Sequence, residues 1–434
     1  MSLGLLAGAM AALVALLVLE RHTPTLHRGL VWVLVALVLV VAVVSPSRRS
    51  RDLWQYTMYG RMVAVHHASP YAHGPADFPH DPAYKWVDPI WRHTPSLYGP
   101  GFTELSAEAS KVLGLSRLAT RLFYQGMAAM AILLAAVVID RRTRDPMALL
   151  LFVVNPAIGY WMVNGGHNDA LVTLAAVIAV LAAERRRPAV TGVAVGLAAL
   201  VKVTALLALV PLCAWLWFRA PPERRAALLA RARDPFVAAA TGLAVTVGGF
   251  VAWGGGAAVQ ALRNASKGTS WSSMWRPVAS LLAGHSTKVL PGWAGTMAMG
   301  VVGVLVAMWA WAARNDESPA RGVAAGLLAF FVAAPYTIVW YVGWSFALLC
   351  LRWRSRLTSV ALVVCFVEIA AAEQPRRATV GFTKHLLDVT TVLLWAVEAA
   401  AVGYLAWLAW RAIRSPRAVE PPPEAHDVRV LEPV

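Results

Sequence analysis

One acidic residue stands where an apolar segment ends and a long stretch rich in aromatic and basic residues begins. This residue is Asp52, in the run RDLWQY at residues 51–56. A carboxylate of this kind accepts the proton of a hydroxyl group while the hydroxyl oxygen attacks an electrophile. At a membrane surface, among cations and indole rings, Asp52 is therefore a candidate general base for chemistry on a lipid-borne, hydroxyl-rich substrate.

Two alternatives to this interpretation stay open. Aspartate at the start of a helix often caps the helix, and Asp52 begins a stretch of helical period. The carboxylates of Asp77, Asp81 and Asp88 compete for the role of base, but they lie in proline-rich stretches where we expect them to be held less tightly. We favour Asp52 as base, and a capping role is compatible with it.

The composition is that of a polytopic membrane protein. Of the 434 residues 59% are hydrophobic and 14% are charged, which is too apolar for a soluble globular domain. Apolar runs of about 16 to 25 residues recur, the length that a helix needs to cross a bilayer. The runs are continuous and do not alternate as barrel strands do, so we predict an all-α transmembrane protein. The first run, residues 3–19, lacks the flanks of a signal peptide and is interpreted as a retained helix.

The formal net charge of +16 does not indicate a nucleic-acid partner. The cations lie mostly between apolar runs, where anionic membrane lipids and the positive-inside bias explain them. Cys213, Cys350 and Cys365 fall within apolar runs, without the spacing of a metal site. His66 and His67 are adjacent, so their side chains point in different directions on a helix. We therefore predict no metal site and no cofactor.

The apolar runs predict about 13 spans, within a range of roughly 11–13. Placing the basic clusters at 141–144, 185–187, 219–233, 352–356 and 411–417 in the cytoplasm puts the amino terminus outside and the carboxyl terminus inside the plasma membrane. The candidate spans are 3–19, 29–46, 118–139, 147–163, 169–183, 189–201, 204–218, 235–253, 292–312, 320–334, 336–351, 357–372 and 386–410.

The requirement that every basic cluster lie on the cytoplasmic side also predicts two breaks within apolar stretches. Residues 189–218 start and end beside cytoplasmic clusters, so they must form a hairpin of two short helices with its apex near Lys202. Residues 320–351 must break near Pro335, where proline interrupts a helix. A charge such as Lys202 between two apolar half-helices is costly unless it faces water or an anion. We favour a phosphate or structural polar contact for Lys202, with simple snorkelling as the alternative.

Residues 1–414 are predicted to form one transmembrane domain, and the proline-rich tail 415–434 to be disordered in the cytoplasm. The extracytoplasmic loops would be 47–117, 164–168, 254–291 and 373–385. The loops 47–117 and 254–291 are too long to be mere connectors, so function is expected there. In loop 47–117, stretches of helical period beginning at Asp52 and running from 102 to 115 predict interfacial helices with the apolar face down.

The extracytoplasmic loops carry cations against the charge bias, which indicates an anionic ligand on that side. A lipid phosphate is the natural candidate, because cations both bind it and stabilise it as a leaving group. Contact with lipid headgroups is the alternative for any single residue. These cations are Arg48, Arg49, Arg51, Arg61, Arg92, Arg263, Lys267, Arg276, Lys288, Arg376, Arg377 and Lys384.

Short polar and aromatic motifs lie at the ends of the predicted spans. In GGHND at 165–169, His167 and Asn168 are candidates to orient sugar hydroxyls or phosphate with Asp169 in support, although an ordinary helix cap is equally open. The chain has 19 Trp residues, many explained by an interfacial aromatic belt. Trp and Arg of the loop 254–291 are candidates for sugar or phosphate contacts, with Arg276 first among them.

An ordered set of motifs resembles the integral-membrane C-superfamily (GT-C) glycosyltransferases that use polyprenyl-phosphate sugars. The similarity is closest to actinobacterial polyprenol-phosphomannose-dependent alpha-1,6-mannosyltransferases. Ser69 and Leu97 depart from the family pattern, which commonly has asparagine and proline there. The matching pieces are DLWQY at 52–56, Gly60-Arg61, Ser69-Pro70-Tyr71, TPSLYGP at 94–100, Asn155-Pro156, GGHND at 165–169, Gly196 to Thr204, Pro335, Trp340-Tyr341 and Trp344.

The resemblance implies an inverting mannosyltransferase with Asp52 as catalytic base. The donor would be polyprenyl-phosphate mannose, the acceptor a lipid-anchored glycan or glycolipid of the cell envelope, and the product an alpha-mannoside, such as an alpha-1,6 linkage in a lipoglycan. No obligatory metal is expected, because protein cations can stabilise a phosphate monoester leaving group. The donor phosphate would be bound among Arg61, Lys202, Arg276, Arg376, Arg377 and Lys384, and the substrates among Tyr56, Trp91, Tyr98, His167, Asn168, Asp169, Trp340 and Tyr341.

Other classes of function remain open at this point. A flippase or transporter for lipid-linked sugars would also carry cations and broken helices, but it should show related polar breaks in two halves of the chain. A non-catalytic partner of another transferase would keep the fold, and a related enzyme would use a different polyprenyl-phosphate sugar. The sequence has no phosphate-binding glycine loop of the Walker or dinucleotide type, which argues against a cytoplasmic nucleotide-sugar donor.

Overall fold

The computed structural model describes residues 26–47, 50–221, 227–265, 268–270, 273–282, 290–372 and 382–414, with isolated positions at 12, 15, 16, 18, 19 and 223. Within these ranges the chain is helical and forms no β-strand, as predicted for an all-α protein. Most of the predicted first span, 3–19, and the whole tail 415–434 lie outside the described residues.

Most helices follow one another with short connections, and the long irregular stretch 65–99 is the main exception among the described residues. A π-helical segment, Ala157–Val163, continues the helix Pro146–Val153, and another, Phe250–Gly254, continues the helix Leu228–Gly249. The α-helices are α1 Arg28–Val44, α2 Asp52–Ala64, α3 Pro100–Leu113, α4 Arg117–Thr143, α5 Pro146–Val153, α6 Asp169–Glu184, α7 Pro188–Ala199, α8 Leu209–Phe218, α9 Leu228–Gly249, α10 Gly255–Ala265, α11 Trp275–Leu282, α12 Gly292–Ala312, α13 Ala320–Ala333, α14 Gly343–Cys350, α15 Arg356–Ala372 and α16 Phe382–Arg414.

Five helical stretches in the described ranges are long and apolar enough to cross a membrane, judged by length and composition. They are Arg117–Thr143, Pro146–Val163, Leu228–Arg263, Gly292–Ala312 and Thr391–Arg414. Shorter apolar helices such as Arg28–Val44 and Pro188–Ala199 pack among them. The class of membrane protein agrees with the prediction, whereas the number of about 13 spans and the sidedness of the termini stay predictions.

The predicted hairpin with its apex at Lys202 is confirmed by the directions of α7, α8 and α9. Along α7 and α9 the contacts advance together, from Gly192 beside Ala238 to Gly196 beside Val245, so these two helices run parallel. Along α8 and α9 the contacts run in opposite order, because Leu209 lies against Gly242 while the Cys213 thiol meets the carbonyl of Pro235. The chain therefore reverses between α7 and α8.

Close approach of α7 and α9 depends on small residues. A Cβ atom added to Gly192 would lie 2.1 Å from the carbonyl oxygen of Ala238 and 2.0 Å from the hydroxyl of Thr241. Small residues at such crossings let two backbones pack tightly in a membrane, where little hydrophobic driving force is available between helices. This crossing holds one arm of the Lys202 hairpin against α9.

The helix that begins at Asp52 differs in its surroundings from the prediction. We expected α2 to lie in the interface with one apolar face down, but all residues from Leu53 to Met62 are buried. Helix α3 and the irregular stretch 65–99 fold over α2 and supply the second apolar surface. Even the polar side chains of Gln55 and Tyr59 are enclosed, where the Gln55 amide donates to the Tyr59 hydroxyl at 2.7 Å. Asp52 thus starts a helix that is rigidly packed.

Candidate active site

The start of α2 is fixed by polar side chains that bind the end of α1. The carbonyl oxygen of Ser45 accepts hydrogen bonds from Arg121 at 2.7 Å, from Asn164 at 3.0 Å and from Gln125 at 3.1 Å. These bonds satisfy backbone groups that a helix end leaves free. They also tie α1 to α4 and to the connection before α6, so the chain enters the Asp52 region from a fixed position.

Asp52 occupies the first turn of α2 without capping it. The N-cap residue is Arg51, whose side chain forms no cap, and the backbone N–H of Asp52 itself donates to the hydroxyl of Ser50 at 3.2 Å. The carboxylate lies 3.5 Å from Nδ1 of His167, and the same nitrogen lies 3.4 Å from the Tyr56 hydroxyl. The Asp52 side chain remains 21% exposed. The capping role is therefore not what the carboxylate does here.

The surroundings of Asp52 place its titration close to neutrality. Partial burial raises the pKa of the Asp52 carboxyl to about 6, while the positive charge of Lys202 opposes this rise. The charge of Asp88 adds to the rise. A carboxyl with a pKa near the working pH is well matched to accept and release a proton. Above pH 6 the carboxylate form predominates.

His167 supports Asp52 as a neutral ring. Burial, followed by the charge of Lys202, holds the pKa of His167 well below its usual value. The imidazole stacks on the indole of Trp340, with ring centroids 3.7 Å apart and planes 18° apart. The contact between His167 and Asp52 is therefore one between a carboxylate and a neutral imidazole, and Trp340 fixes the ring's orientation.

Lys202 forms the positive centre of the site. Its ammonium group donates to the Tyr341 hydroxyl at 3.0 Å and lies 3.4 Å from a carboxylate oxygen of Asp169. The same Asp169 oxygen accepts a hydrogen bond from the indole of Trp344 at 2.9 Å. The ammonium also lies 4.2 Å from the centre of the Tyr341 ring. Because a buried charge needs partners, this arrangement explains how Lys202 is tolerated at the apex of the hairpin.

A glycine contact brings Tyr98 into the same cluster. The backbone N–H of Gly99 donates to the carbonyl of Val201 at 2.8 Å, and a Cβ atom on Gly99 would lie 2.3 Å from the carbonyl oxygen of Leu200. With no side chain at position 99, the loop packs directly on the hairpin apex. The Tyr98 ring then lies 4.7 Å from the Tyr56 ring and 5.6 Å from the Lys202 ammonium.

These side chains form one cluster, which we call the Asp52 cluster, and only part of it is exposed. It consists of Asp52, Tyr56, Tyr98, His167, Asn168, Asp169, Lys202, Trp340 and Tyr341. The side chain of Lys202 is 12% exposed, so it and Asp52 form the accessible edge. His167, Asn168 and Asp169 lie behind them with no exposed surface. Within the described part of the chain, Nε2 of His167 and both polar atoms of the Asn168 amide have no hydrogen-bond partner.

Other predicted site residues lie apart from the Asp52 cluster. Arg61 points into a separate ion pair, where its Nε lies 2.9 Å from Asp81. Trp91 is half-buried in a 3-10 turn, and Arg276 is the second residue of α11, where burial lowers the pKa of its guanidinium. Among the residues described here, none of these three contributes a hydrogen bond or ion pair to the cluster. Arg376, Arg377 and the side chain of Lys384 lie outside the described residues.

The carboxylates that competed with Asp52 have structural partners. Asp81 accepts hydrogen bonds from Arg61, from His66 at 2.8 Å and from the backbone N–H of Ala83 at 2.8 Å. Our expectation that Asp81 is loosely held is wrong, because this buried pair ties α2 to the stretch after it. Asp77 accepts from the N–H of Gly74, and Asp88 from the N–H of Ile90.

Sequence reasoning missed the residues that position the site from behind. Ser50, Arg121, Gln125 and Asn164 received no role, although the structure uses them to fix the chain around Asp52. A signal was available for Arg121 and Gln125, because both are polar residues inside the otherwise apolar segment 118–139. No group of three or more His, Cys, Asp or Glu that suits a metal ion occurs among the described residues, and the expectation of a metal-free reaction stays a prediction.

The fold and the cluster define the class of the protein as a polytopic helical membrane protein with a carboxylate–lysine site at one end of its bundle. Within that class, the chain belongs to the alpha-(1->6)-mannopyranosyltransferase family, since the model of that family's N-terminal domain matches residues 1–219. The match covers Asp52, His167 and Lys202, and it confirms the resemblance seen in the motifs.

Two curated relatives agree with this assignment. Alpha-(1->6)-mannopyranosyltransferase A of Mycobacterium tuberculosis is 26% identical over 321 residues, which cover 69% of this chain and 60% of that protein. The protein of the same name from Corynebacterium glutamicum is 26% identical over 320 residues, covering 67% of this chain and 64% of the relative. The matched region thus spans less than two thirds of either relative. No solved structure matches the chain.

Proposed function

We propose that this protein is an inverting mannosyltransferase of the plasma membrane that works on the extracytoplasmic face. The donor is beta-linked polyprenyl-phosphate mannose, and the acceptor is a lipid-anchored or growing glycan. The observation that carries the proposal is the position of the Asp52 carboxylate, which lies at the accessible edge of a buried cluster and beside the positive charge of Lys202. Membership of the mannopyranosyltransferase family supports mannose as the sugar.

In the proposed reaction one bond forms as another breaks. The acceptor hydroxyl oxygen attacks the anomeric carbon of mannose, and its proton passes to the Asp52 carboxylate. The bond between the anomeric carbon and the phosphate oxygen breaks, and polyprenyl phosphate leaves with the electron pair. Attack from the face opposite the leaving group converts the beta-linked donor into an alpha-mannoside, with an alpha-1,6 bond as the expected product. One carboxylate is sufficient as base for such a displacement.

Lys202 is the proposed partner of the departing phosphate. Its ammonium has three hydrogen-bond donors and contacts the Tyr341 hydroxyl and the Asp169 carboxylate. The side chain nevertheless remains 12% exposed at the edge of the cluster. A cation placed where negative charge develops stabilises the transition state more than the ground state. Asp169 and Trp344 hold Lys202 in place, which limits the reorganisation needed when the phosphate leaves.

His167, Asn168 and Trp340 act in this proposal as positioning residues. The neutral His167 ring, fixed on Trp340, orients the Asp52 carboxylate from behind. Tyr56 and Tyr98 form the aromatic wall next to it, as a sugar site needs. The Asn168 amide, which has no exposed surface, supports this arrangement from behind Asp52 and Lys202.

A reconstituted transfer assay tests the proposal. The purified full chain is placed in liposomes with polyprenyl-phosphate [14C]mannose and a mannoside glycolipid acceptor, and the product is digested with an alpha-1,6-specific mannosidase. We expect label in the acceptor that this enzyme releases, and no transfer when GDP-mannose is the only donor. Movement of label across the bilayer without a new glycosidic bond would instead identify a flippase and overturn the proposal.

A further inference from the structure

A second charged site lies at the opposite end of the helix bundle. Helix α6 runs from Asp169 in the Asp52 cluster to Glu184, a distance of roughly 24 Å at 1.5 Å per residue. Helix α7 returns from Pro188 toward Lys202, and α9 runs parallel to it. The connection between α6 and α7 and the start of α9 therefore face the other membrane surface.

This end of the bundle contains a cavity of about 350 Å³. Its lining includes the cations Arg186, Arg187 and Arg233 and a single carboxylate, Asp234. The cavity is consequently positive in net charge. Arg187 and Arg233 are exposed, whereas Arg186 and Asp234 are partly or fully buried. A volume of this size accommodates a phosphate with a small polar substituent, which is less than a whole nucleotide sugar needs.

Arg186 is held at the cavity by its backbone and by its neighbours. It has a φ of 54°, a left-handed conformation that glycine commonly adopts after a helix end. Its guanidinium lies 5.0 Å from the centre of the Trp215 ring and donates to the carbonyl of Arg219. The guanidinium of Arg186 is therefore held in place at the cavity wall, and a planar guanidinium is well suited to bind a phosphate.

An apolar surface leads away from the same cavity. Val190 lines the cavity and is 46% exposed, and Val193 and Leu197 continue its stripe along α7. On α9, Phe236 is 71% exposed next to the cavity residue Val237, and Leu243 lies two turns further along the helix. Positive charge at the helix ends with an exposed apolar stripe beside it matches the two parts of a phospholipid.

We propose that this cavity binds the headgroup of an anionic phospholipid, with the acyl chains lying along the apolar stripes of α7 and α9. The phosphate would contact Arg187 and Arg233 at the open side and Arg186 at the fixed side. A free phosphate would use the same cations but would gain nothing from the apolar stripes. The combination therefore favours a lipid as occupant, on the membrane face opposite the Asp52 cluster.

The test measures lipid binding to the purified full chain by native mass spectrometry. The probes are dioleoylphosphatidylglycerol and, as a neutral lipid, dioleoylphosphatidylcholine. The pocket variant combines Arg187→Gln and Arg233→Gln, two exposed positions outside the Asp52 cluster. The matched control combines Arg141→Gln and Arg352→Gln, which remove two exposed cations at the same end of the bundle without touching the cavity.

We expect phosphatidylglycerol to bind more tightly than phosphatidylcholine, and the pocket variant to bind it about thirtyfold more weakly, as loss of two surface cations near a phosphate implies. The control variant should bind within about twofold of the wild type, and a large excess of inorganic phosphate should fail to displace the lipid.

Equal weakening of lipid binding in both variants would show an unspecific effect of surface charge and overturn the proposal. So would equal binding of the two lipids, or displacement by inorganic phosphate. Unchanged thermal unfolding of both variants serves as the check on folding.

Discussion

Two carboxylates, Asp52 at the start of α2 and Asp81 in the stretch that follows it, meet their cations in different ways. Asp81 is fully enclosed and accepts hydrogen bonds from Arg61, His66 and a backbone N–H. Although burial works against ionisation, these bonds hold the pKa of Asp81 below its usual value. Asp52 is 21% exposed, has weaker contacts and a pKa raised to about 6.

Of the two carboxylates, Asp52 is the one suited to chemistry. A carboxylate whose oxygens are occupied by donors has little basicity left, so Asp81 serves to join α2 to the stretch that covers it. The side chain of Asp52 stays partly exposed and its pKa lies near neutrality, with the cation Lys202 close by for a phosphate. Arg61, which the sequence suggested as a phosphate ligand, belongs to the structural pair. Among the described residues, Lys202 is the cation of the Asp52 cluster.

Removing the structural carboxylate should have the largest effect on stability. In Asp81→Asn the charge of Arg61 stays buried without its partner, and breaking such a pair costs about 3–5 kcal/mol. We expect the free energy of unfolding, measured by reversible denaturation in detergent, to fall by this amount. Asp77→Asn is the matched control, because Asp77 lies in the same stretch and is largely exposed, and it should lose less than about 1 kcal/mol. Equal losses would remove the distinction between a structural and an exposed carboxylate.

Changing the cation near Asp52 should change the pH dependence of transfer. In the wild type the Asp52 pKa of about 6 predicts a rate that falls as the pH drops through 6, because protonation removes the base. The charge of Lys202 lowers that pKa, so Lys202→Gln should move the fall to higher pH by about one unit. The rate of mannose transfer between pH 5 and 8 measures this shift.

Lys111→Gln provides the control for charge removal, since Lys111 is exposed and pairs with Glu108. Its pH profile should coincide with that of the wild type. If the transfer rate of Lys202→Gln fell at the same pH as that of the wild type, Lys202 would not influence the pKa of the group whose protonation stops the reaction.

A smaller effect is expected from Gly99→Ala, which tests how the Asp52 cluster depends on the hairpin apex. The added methyl group would lie 2.3 Å from the carbonyl oxygen of Leu200 and must push the loop away. Overpacking of this kind costs about 1–3 kcal/mol, and the shift of Tyr98 should raise KM for the donor. Gly114→Ala changes a glycine with open space around it and controls for glycine removal, although its φ of 56° adds local strain. An unchanged KM in Gly99→Ala would exclude Tyr98 from the donor site.

The sequence predicted the parts of the site that stand out against apolar surroundings. Asp52, the motif ending in Asp169, Lys202 and the pair Trp340-Tyr341 are polar or aromatic residues at breaks between hydrophobic helices, where such residues are costly without a role. The placement of the basic clusters on one side of the membrane was enough to predict that the chain reverses at Lys202. These residues come together in space as the resemblance implied.

The parts that escaped prediction depend on partners distant in sequence. Arg61 was grouped with phosphate ligands because its partner Asp81, 20 positions away, is chosen by how the loop folds over α2. The burial of α2 was missed for the same reason, since a helical period shows one apolar face and does not show what covers the other. Asn164 and Gln125 reach the end of α1 across the fold, which local patterns do not report.

The turnover number of Asp52→Asn in the reconstituted transfer assay at pH 7.5 tests whether Asp52 is the base. Asparagine keeps the shape of the side chain and cannot accept the proton, so we predict a fall in turnover of about a hundred- to ten-thousand-fold with donor affinity nearly unchanged. Asp77→Asn in the same assay should retain wild-type turnover. Turnover of Asp52→Asn close to that of the wild type would contradict the assignment of Asp52 as the base.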